Sequence, residues 1–410
     1  MKAFNTFDTR LRYNLLILFT AGLLFWSSLA SLLPTLPLYI QEVGASNQQI
    51  GIVMGSFAIG LLLFRPMLGR LADKRSRKIV LLIGTIVVAI APLGYLAFTS
   101  IPLLILVRIF HGISLAAFTT GYSALVADLA PAENRGEIIS YMSLTSPIGL
   151  AIGPALGGYL EATSGYAALF LISAELGFAA FLGTLQIPNP PVPQQGQIES
   201  NNSNFWQILG SPRVRVPAVV MLLVGLVIGA VHTFVSLFIK STGVDLNAGL
   251  FFTAAAISSF ILRLFAGRAS DRLGRGLFIT FGILCYGLSS LLLWQANSAI
   301  TFLLAAIIEG CGGGTMFSMI TTMMADRSLP QERGRIFAIC IAGFDLGIAI
   351  AAPLLGSIAE QVGYGNMFGY CAILTFLALL IFLTQSSKDL PNSLRFALGR
   401  VPDAYALKKI

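Results

Sequence analysis

Charge is what this 410-residue chain has least of. Asp, Glu, Lys and Arg make up 11% of it, against 56% hydrophobic residues and a mean hydropathy of +0.82. A soluble protein of this length needs a charged coat, so a water-soluble fold is excluded. Histidine is scarce too, and the two widely separated residues make no zinc-binding set. The four cysteines, Cys285, Cys311, Cys340 and Cys371, fall inside apolar stretches without CxxC spacing. They read as buried packing rather than as disulfides or a metal site. Gly310-Cys-Gly312-Gly313-Gly314 lacks the Gly-Lys-Ser/Thr of a phosphate loop, so no nucleotide is expected there. No clustered nucleophile and base points to an enzyme, and no cofactor is implied.

What is present is a succession of long apolar runs. A helix needs about 20 residues to cross a hydrocarbon core. The chain offers twelve such spans, the first six at roughly 13–40, 48–69, 79–98, 101–127, 138–160 and 166–187. The second six run at roughly 214–239, 248–267, 277–296, 299–325, 336–359 and 365–385. Unpaired backbone groups are costly in lipid, so these spans are expected to be helices. The short alternating segments of transmembrane strands are missing. The first run is too long for the core of a cleavable signal peptide and reads as helix 1.

The net charge of +8 would fit a nucleic-acid partner if the cations were not confined to alternate loops. Arg70, Lys74, Arg75, Arg77 and Lys78 crowd one hairpin, and Arg268, Arg272 and Arg275 another. Arg135, Arg327, Arg333, Arg335, Arg213, Arg215 and both chain ends add to the same side, while the opposite loops carry only Lys240. Such asymmetry places both termini in the cytoplasm and accounts for the basic excess by topology, without nucleic acid. Short loops and no targeting segment point to a multi-pass protein of a bacterial inner membrane.

The chain also repeats itself. Gly69-Arg-Leu-Ala-Asp73-Lys-Arg-Ser-Arg77 returns 198 positions later as Gly267-Arg-Ala-Ser-Asp271-Arg-Leu-Gly274-Arg275. The same offset pairs Arg65 with Arg263, Gly112 with Gly310, Asp128 with Asp326 and Gly149 with Gly347. One register held over six helices is a duplication, the way many secondary transporters are built. The expected organisation is an N-terminal six-helix bundle (1–187), a Pro- and Asn-rich cytoplasmic linker (188–213), a C-terminal six-helix bundle (214–385) and a basic cytoplasmic tail (386–410), read as solvated, with contact to anionic lipid as the alternative.

Three motifs resemble one family. Gly69-x-Leu-Ala-Asp73-x-x-x-Arg77-Lys78 is similar to the loop signature of the major facilitator superfamily, and Arg108-Ile-Phe-His-Gly112 to its RxxxG motif. Gly149-Leu-Ala-Ile-Gly153-Pro154-Ala-Leu-Gly157-Gly158 matches GxxxGPxxGG, typical of the twelve-helix drug/proton antiporter branch. Ser76 stands where the loop motif usually has glycine, and helix 1 lacks the acidic residue many drug exporters carry there. The resemblance implies an all-α membrane protein of twelve transmembrane helices in two pseudo-symmetric six-helix bundles, and a monomer.

The residues also carry readings of their own. Gly69 and Gly267 are expected to let helices approach while turning. Asp73 and Asp271 are expected to meet a neighbouring helix N-terminus, which the resemblance makes helix 11 for Asp73. Arg77 can pair with Asp128, and Arg275 with Asp326, as latches of a conformational switch. Gly149, Gly153 and Gly157 form a flat stripe at i, i+4, i+8, and Pro154 should kink the span.

Ionisable groups inside a bilayer call for a role. His111, Glu309, Asp345 and Glu175 fall near mid-span by residue count, and the 198 offset pairs His111 with Glu309. Asp345, in Phe344-Asp345-Leu-Gly347, is the first candidate to carry a proton, followed by Glu309 and His111. Arg108, Thr119 and Tyr122 share a face of helix 4, and Met316 and Met323 a face of helix 10; these are expected to line a substrate cavity. Together they point to an alternating-access transporter exporting a small amphiphilic or lipophilic molecule (drug, metabolite or siderophore) against inward proton flow. Uptake of a sugar or organic acid with protons is the alternative.

Overall fold

A computed structural model describes residues 8–131, 134–189, 210–328 and 332–407. Most of the 188–213 linker lies outside the described residues, as do the side chains of Arg268, Asp271, Arg333 and Arg335. The first half contains α1 (Thr9–Ser31), α2 (Leu36–Glu42), α3 (Asn47–Lys74), α4 (Arg77–Ala97), α5 (Ile101–Leu129), α6 (Arg135–Met142) and α7 (Thr145–Gln186). The second contains α8 (Pro212–Thr242), α9 (Ala248–Leu273), α10 (Arg275–Trp294), α11 (Ala299–Asp326), α12 (Arg333–Gln385) and α13 (Leu390–Ala397). Among the described residues there is no strand.

Among the described residues, ten stretches are long and apolar enough to cross a membrane. Two of them are double. α7 breaks at Gly165, where φ is 79°, and α12 at Gly363, where φ is 80°. With ψ of 178° and 163° these positions lie where essentially only glycine is found, at a cost of about 1–3 kcal/mol for other residues. These two breaks turn ten stretches into twelve crossings, and they too lie 198 residues apart in the sequence. Helix 1 is less continuous than its apolar run implies, because a turn at 32–35 containing Pro34 separates α1 from α2.

The chain divides into two compact units: Met1–Ala45 with Ile52–Ile198 and Asn247–Thr253, and Ser46–Gly51 with Glu199–Leu246 and Ala254–Ile410. In the first, α1 packs on α7 and α4 packs on α5 and α7. In the second, α8 packs on α12 and α10 packs on α11 and α12. Helices approach closely where glycine offers no side chain. A Cβ at Gly112 would strike the Phe57 carbonyl, and one at Gly84 the Phe118 backbone. At the equivalent Gly310 and Gly282 it would strike the Ala255 carbonyl and the Met316 side chain.

Large apolar side chains cover the outside, among them Leu63 (61% exposed), Phe265 (66%), Ile300 (72%) and Phe376 (66%). Such a surface is costly in water and matched to lipid. The molecule is an integral, multi-pass membrane protein.

The tail corrects the solvated expectation for 386–410, of which residues up to 407 are described. Its described part is stapled to the second unit. Arg327, 0% exposed at the end of α11, holds Asp403 through Nε–Oδ2 (2.6 Å) and Nη2–Oδ1 (3.0 Å). The same guanidinium donates to the carbonyls of Arg213 (3.1 Å) and Ser386 (2.9 Å) and lies over the Phe396 and Tyr405 rings. A fully buried cation needs this many acceptors, and only the folded-back tail completes the set.

Candidate functional site

In the first unit the mid-span polar residues form a cluster rather than a row. α5 carries Arg108 (7% exposed) and His111 (0%) one turn apart. The Tyr95 hydroxyl of α4 lies 3.0 Å from His111 Nδ1. Arg108 lies beside both groups, with its guanidinium 4.6 Å from the centre of the Phe57 ring of α3. Phe57 also meets the His111 ring edge-on at 5.6 Å, and Tyr95 packs on Phe170 of α7. Among the described residues neither His111 Nε2 nor Arg108 Nε has a hydrogen-bond partner, though both are buried. Orphaned buried nitrogens are costly and are kept where a ligand, a water or a proton uses them.

The second unit holds a cluster of different chemistry at the equivalent level. Glu309 of α11, 9% exposed, lies within electrostatic reach of Tyr286 of α10, which in turn neighbours Arg263 of α9. Each unit thus combines an arginine, a tyrosine and a titratable group, and His111 and Glu309 occupy the same register. Asp345 lies on α12 between Gly343 and Gly347, whose Cβ positions would strike the Ala218 and Leu222 carbonyls of α8. It is 9% exposed and already engaged in an interaction within the protein. Its neighbour Phe344 packs edge-on against Phe317 of α11.

Other expected cavity residues are placed in packing. The Tyr122 hydroxyl donates to the Met142 carbonyl (3.2 Å) and its ring stacks on Phe118, which stacks on Phe25. Met316 and Met323 are each 1% exposed and fill the second unit's core. Thr119 spends its hydroxyl on the Leu115 carbonyl of its own helix (2.7 Å). Glu175 is exposed on the side of α7. Arg108, His111 and Glu309 therefore carry the polar interior more than the methionine face does.

Both expected ion pairs are present at the basic end of the helices. Arg77 pairs with Asp128 and also donates to the Ala124 carbonyl (3.3 Å). Arg275 pairs with Asp326 and donates to the Thr322 carbonyl (2.7 Å). The donor helix, acceptor helix and backbone contact correspond in the two halves. The hairpin glycines are a correction: Gly69 and Gly267 lie inside α3 and α9, with nothing within 4 Å of where a Cβ would stand. The turning is done next to them. Ser76 caps α4 by accepting from Ile79 N (3.1 Å), whereas Gly274 takes φ 90° before α10. A serine cap and a left-handed glycine are two solutions to the same turn, so Ser76 is no defect. Asp73 is exposed, and the Asp271 side chain lies outside the described residues.

The helix-5 stripe is seated against α1 within the first unit. A Cβ at Gly149 would strike Trp26, at Gly153 Ala30 and Ser27, and at Gly157 the Ser31 carbonyl. Gly158 accepts from Asn247 Nδ2 at its carbonyl (2.8 Å), and Pro154 lies inside the helical part of α7 that precedes the Gly165 break. Sequence reasoning missed Tyr95, Tyr286 and Arg263 as members of the polar clusters. The Arg65/Arg263 pairing was visible, but the tyrosines lie on helices that read as uniformly apolar.

The family model described as Major Facilitator Superfamily matches residues 18–259 and 222–403. The staphylopine export protein of Staphylococcus aureus (strain Mu50) is 27% identical over 386 residues, 92% of this chain and 97% of that protein. The multi-drug resistance efflux pump PmrA homolog of Lactococcus lactis is 27% identical over 369 residues, 86% and 89% of the two chains. The crystal structure of the nucleoside transporter NupG superposes with a TM-score of 0.75 at 18% identity, covering 90% of this chain and 99% of that one.

Proposed function

This chain belongs to the Major Facilitator Superfamily, and we propose that it is an exporter of small amphiphilic or lipophilic molecules that works by alternating access and is driven by inward proton flow. The observation that carries the coupling is the pair of buried titratable groups, His111 and Glu309, at one duplicated position, His111 beside Tyr95 and Arg108 and Glu309 within electrostatic reach of Tyr286. A bilayer-buried carboxylate is stable only when paired, protonated or facing water, so exchanging a proton as access alternates gives it a use. Asp345 on α12 is the second carboxylate of this system. Arg108 holds an anionic group of substrate or protein, and its orphaned Nε is available for that. Arg77–Asp128 and Arg275–Asp326 fasten the basic end in one state and part in the other. Open space at Gly69 and Gly267 fits an element that is closely packed only in the alternate state.

Export is favoured by the complete GxxxGPxxGG run and by relatives named for export or efflux. The basic end faces the cytoplasm of a bacterial inner membrane with both termini, and the protein acts as a monomer. Inside-out vesicles incubated with a panel of lipophilic cations, neutral drugs and metallophores in the outer medium test the direction. Energised accumulation of a compound in the lumen, absent from vesicles lacking the protein, is the expected result. Energised loss of a sugar or organic acid from pre-loaded vesicles would establish uptake instead.

A further inference from the structure

The tail helix α13 is divided into three faces, and only one of them is buried in protein. At 100° per residue, Ser393, Phe396 and Ala397 fall together and are buried. Leu390, Leu394 and the capping Leu398 fall together on a second face and are 51%, 39% and 46% exposed. Arg395 and Asn392 lie on the third, and exposed Lys388 precedes the helix. A helix wholly in water gains nothing from an exposed leucine row. A helix in the angle between a bundle, a bilayer and water would need this threefold division.

Its depth agrees. Gly276 is close-packed against the Phe396 carbonyl, and Thr280 Oγ1 donates to the Ala397 carbonyl at 2.9 Å. α13 is therefore level with residues 276–280 of a helix that starts at Arg275, within roughly 8 Å of the span's end at 1.5 Å per residue. That is the depth at which interfacial helices bury an apolar face, about 5–10 Å into the headgroup boundary. Just beyond, α10 turns Phe281, Leu284 and Leu288 outward, 42%, 51% and 49% exposed, as lipid-facing residues.

The charge is one-sided. Lys388, Arg395 and Arg400 are exposed, and Lys408 and Lys409 follow in sequence. The acidic residues of the tail are already used: Asp389 caps the helix by accepting from Asn392 N (2.8 Å), and Asp403 is held by Arg327. We propose that α13 is an interfacial anchor that binds anionic phospholipid, its leucines entering the acyl boundary and its cations meeting lipid phosphates. The Arg327–Asp403 staple holds the helix at that depth. The Leu407 amide, donating to the Asp326 carbonyl (2.8 Å), ties the anchor to the residue that pairs with Arg275.

The test uses full-length protein in vesicles containing phosphatidylglycerol or phosphatidylcholine alone, with brominated acyl chains, and needs no transport. Leu394→Trp places a fluorophore on the leucine face and Arg395→Trp on the polar face. The added fluorescence at 394 should be quenched strongly and that at 395 weakly. Unquenched fluorescence at 394 in folded protein puts the leucine face in water or against a protein partner, and overturns the proposal. The triple variant Lys388→Gln/Arg395→Gln/Arg400→Gln, otherwise wild type, should lower the preference for phosphatidylglycerol by on the order of tenfold or more. An undiminished preference would overturn the anionic assignment, and this arm decides even if the tryptophan variants do not fold.

Discussion

Asp403→Ala removes one of the few acidic side chains of the tail, yet the structure makes it a large perturbation. Arg327 is 0% exposed and Asp403 11%, and two of the four hydrogen bonds from that guanidinium end on this carboxylate. Removing one partner of a buried pair leaves an uncompensated charge, at a cost of roughly 3–5 kcal/mol. The two carbonyl acceptors stay behind, which favours the lower end of that range. A long chain shifts by about 2 °C per kcal/mol, so the melting temperature should fall by roughly 6–10 °C. The assay is unfolding in detergent followed with a thiol-reactive dye, since Cys285, Cys340 and Cys371 are buried until the second unit opens. Arg327→Met combined with Asp403→Leu should recover most of the loss, because an apolar pair carries no desolvation cost. A shift within about 1 °C for Asp403→Ala would refute the staple.

Further outcomes follow from the same geometry. Asp326→Asn breaks a partly exposed pair worth about 1 kcal/mol or less, so thermal stability should barely move while export falls sharply; equal loss of both would reduce the pair to structure. Gly157→Ala drives a Cβ into the Ser31 carbonyl and should cost about 1–3 kcal/mol in a melting assay. Gly69→Ala meets nothing within 4 Å and should leave stability unchanged or slightly raised while slowing export. Gly363→Ala should destabilise by about 1–3 kcal/mol through its backbone conformation (φ 80°, ψ 163°) alone.

Much of the fold was legible because lipid leaves little choice. An apolar run of sufficient length must be a helix, and the repeat at an offset of 198 orders the helices into halves. The Arg77–Asp128 and Arg275–Asp326 pairs could be read because two residues of opposite charge recur at one spacing in both halves. Gly165 and Gly363 show the same duplication, but a single left-handed glycine among forty-one has no signature of its own. The substrate face was harder. Helical spacing groups Tyr122, Met316 and Met323 with polar residues, but which arc faces neighbouring helices depends on tertiary packing, and that packing buries all three. Tyr95 and Tyr286 escaped notice because a tyrosine within an apolar run reads as another aromatic until its hydroxyl finds His111 or comes within electrostatic reach of Glu309. The tail escaped because its composition is that of a solvated segment; the buried Arg327 that organises it lies far away in sequence.

The most direct test of the central claim is proton release from acidified inside-out vesicles, followed with a pH-quenched dye as an accumulated compound is added. Wild-type vesicles should show proton exit on addition, and Glu309→Gln and Asp345→Asn vesicles with equal folded protein should show little or none. Proton exit undiminished in both variants would contradict the assignment of coupling to these buried carboxylates.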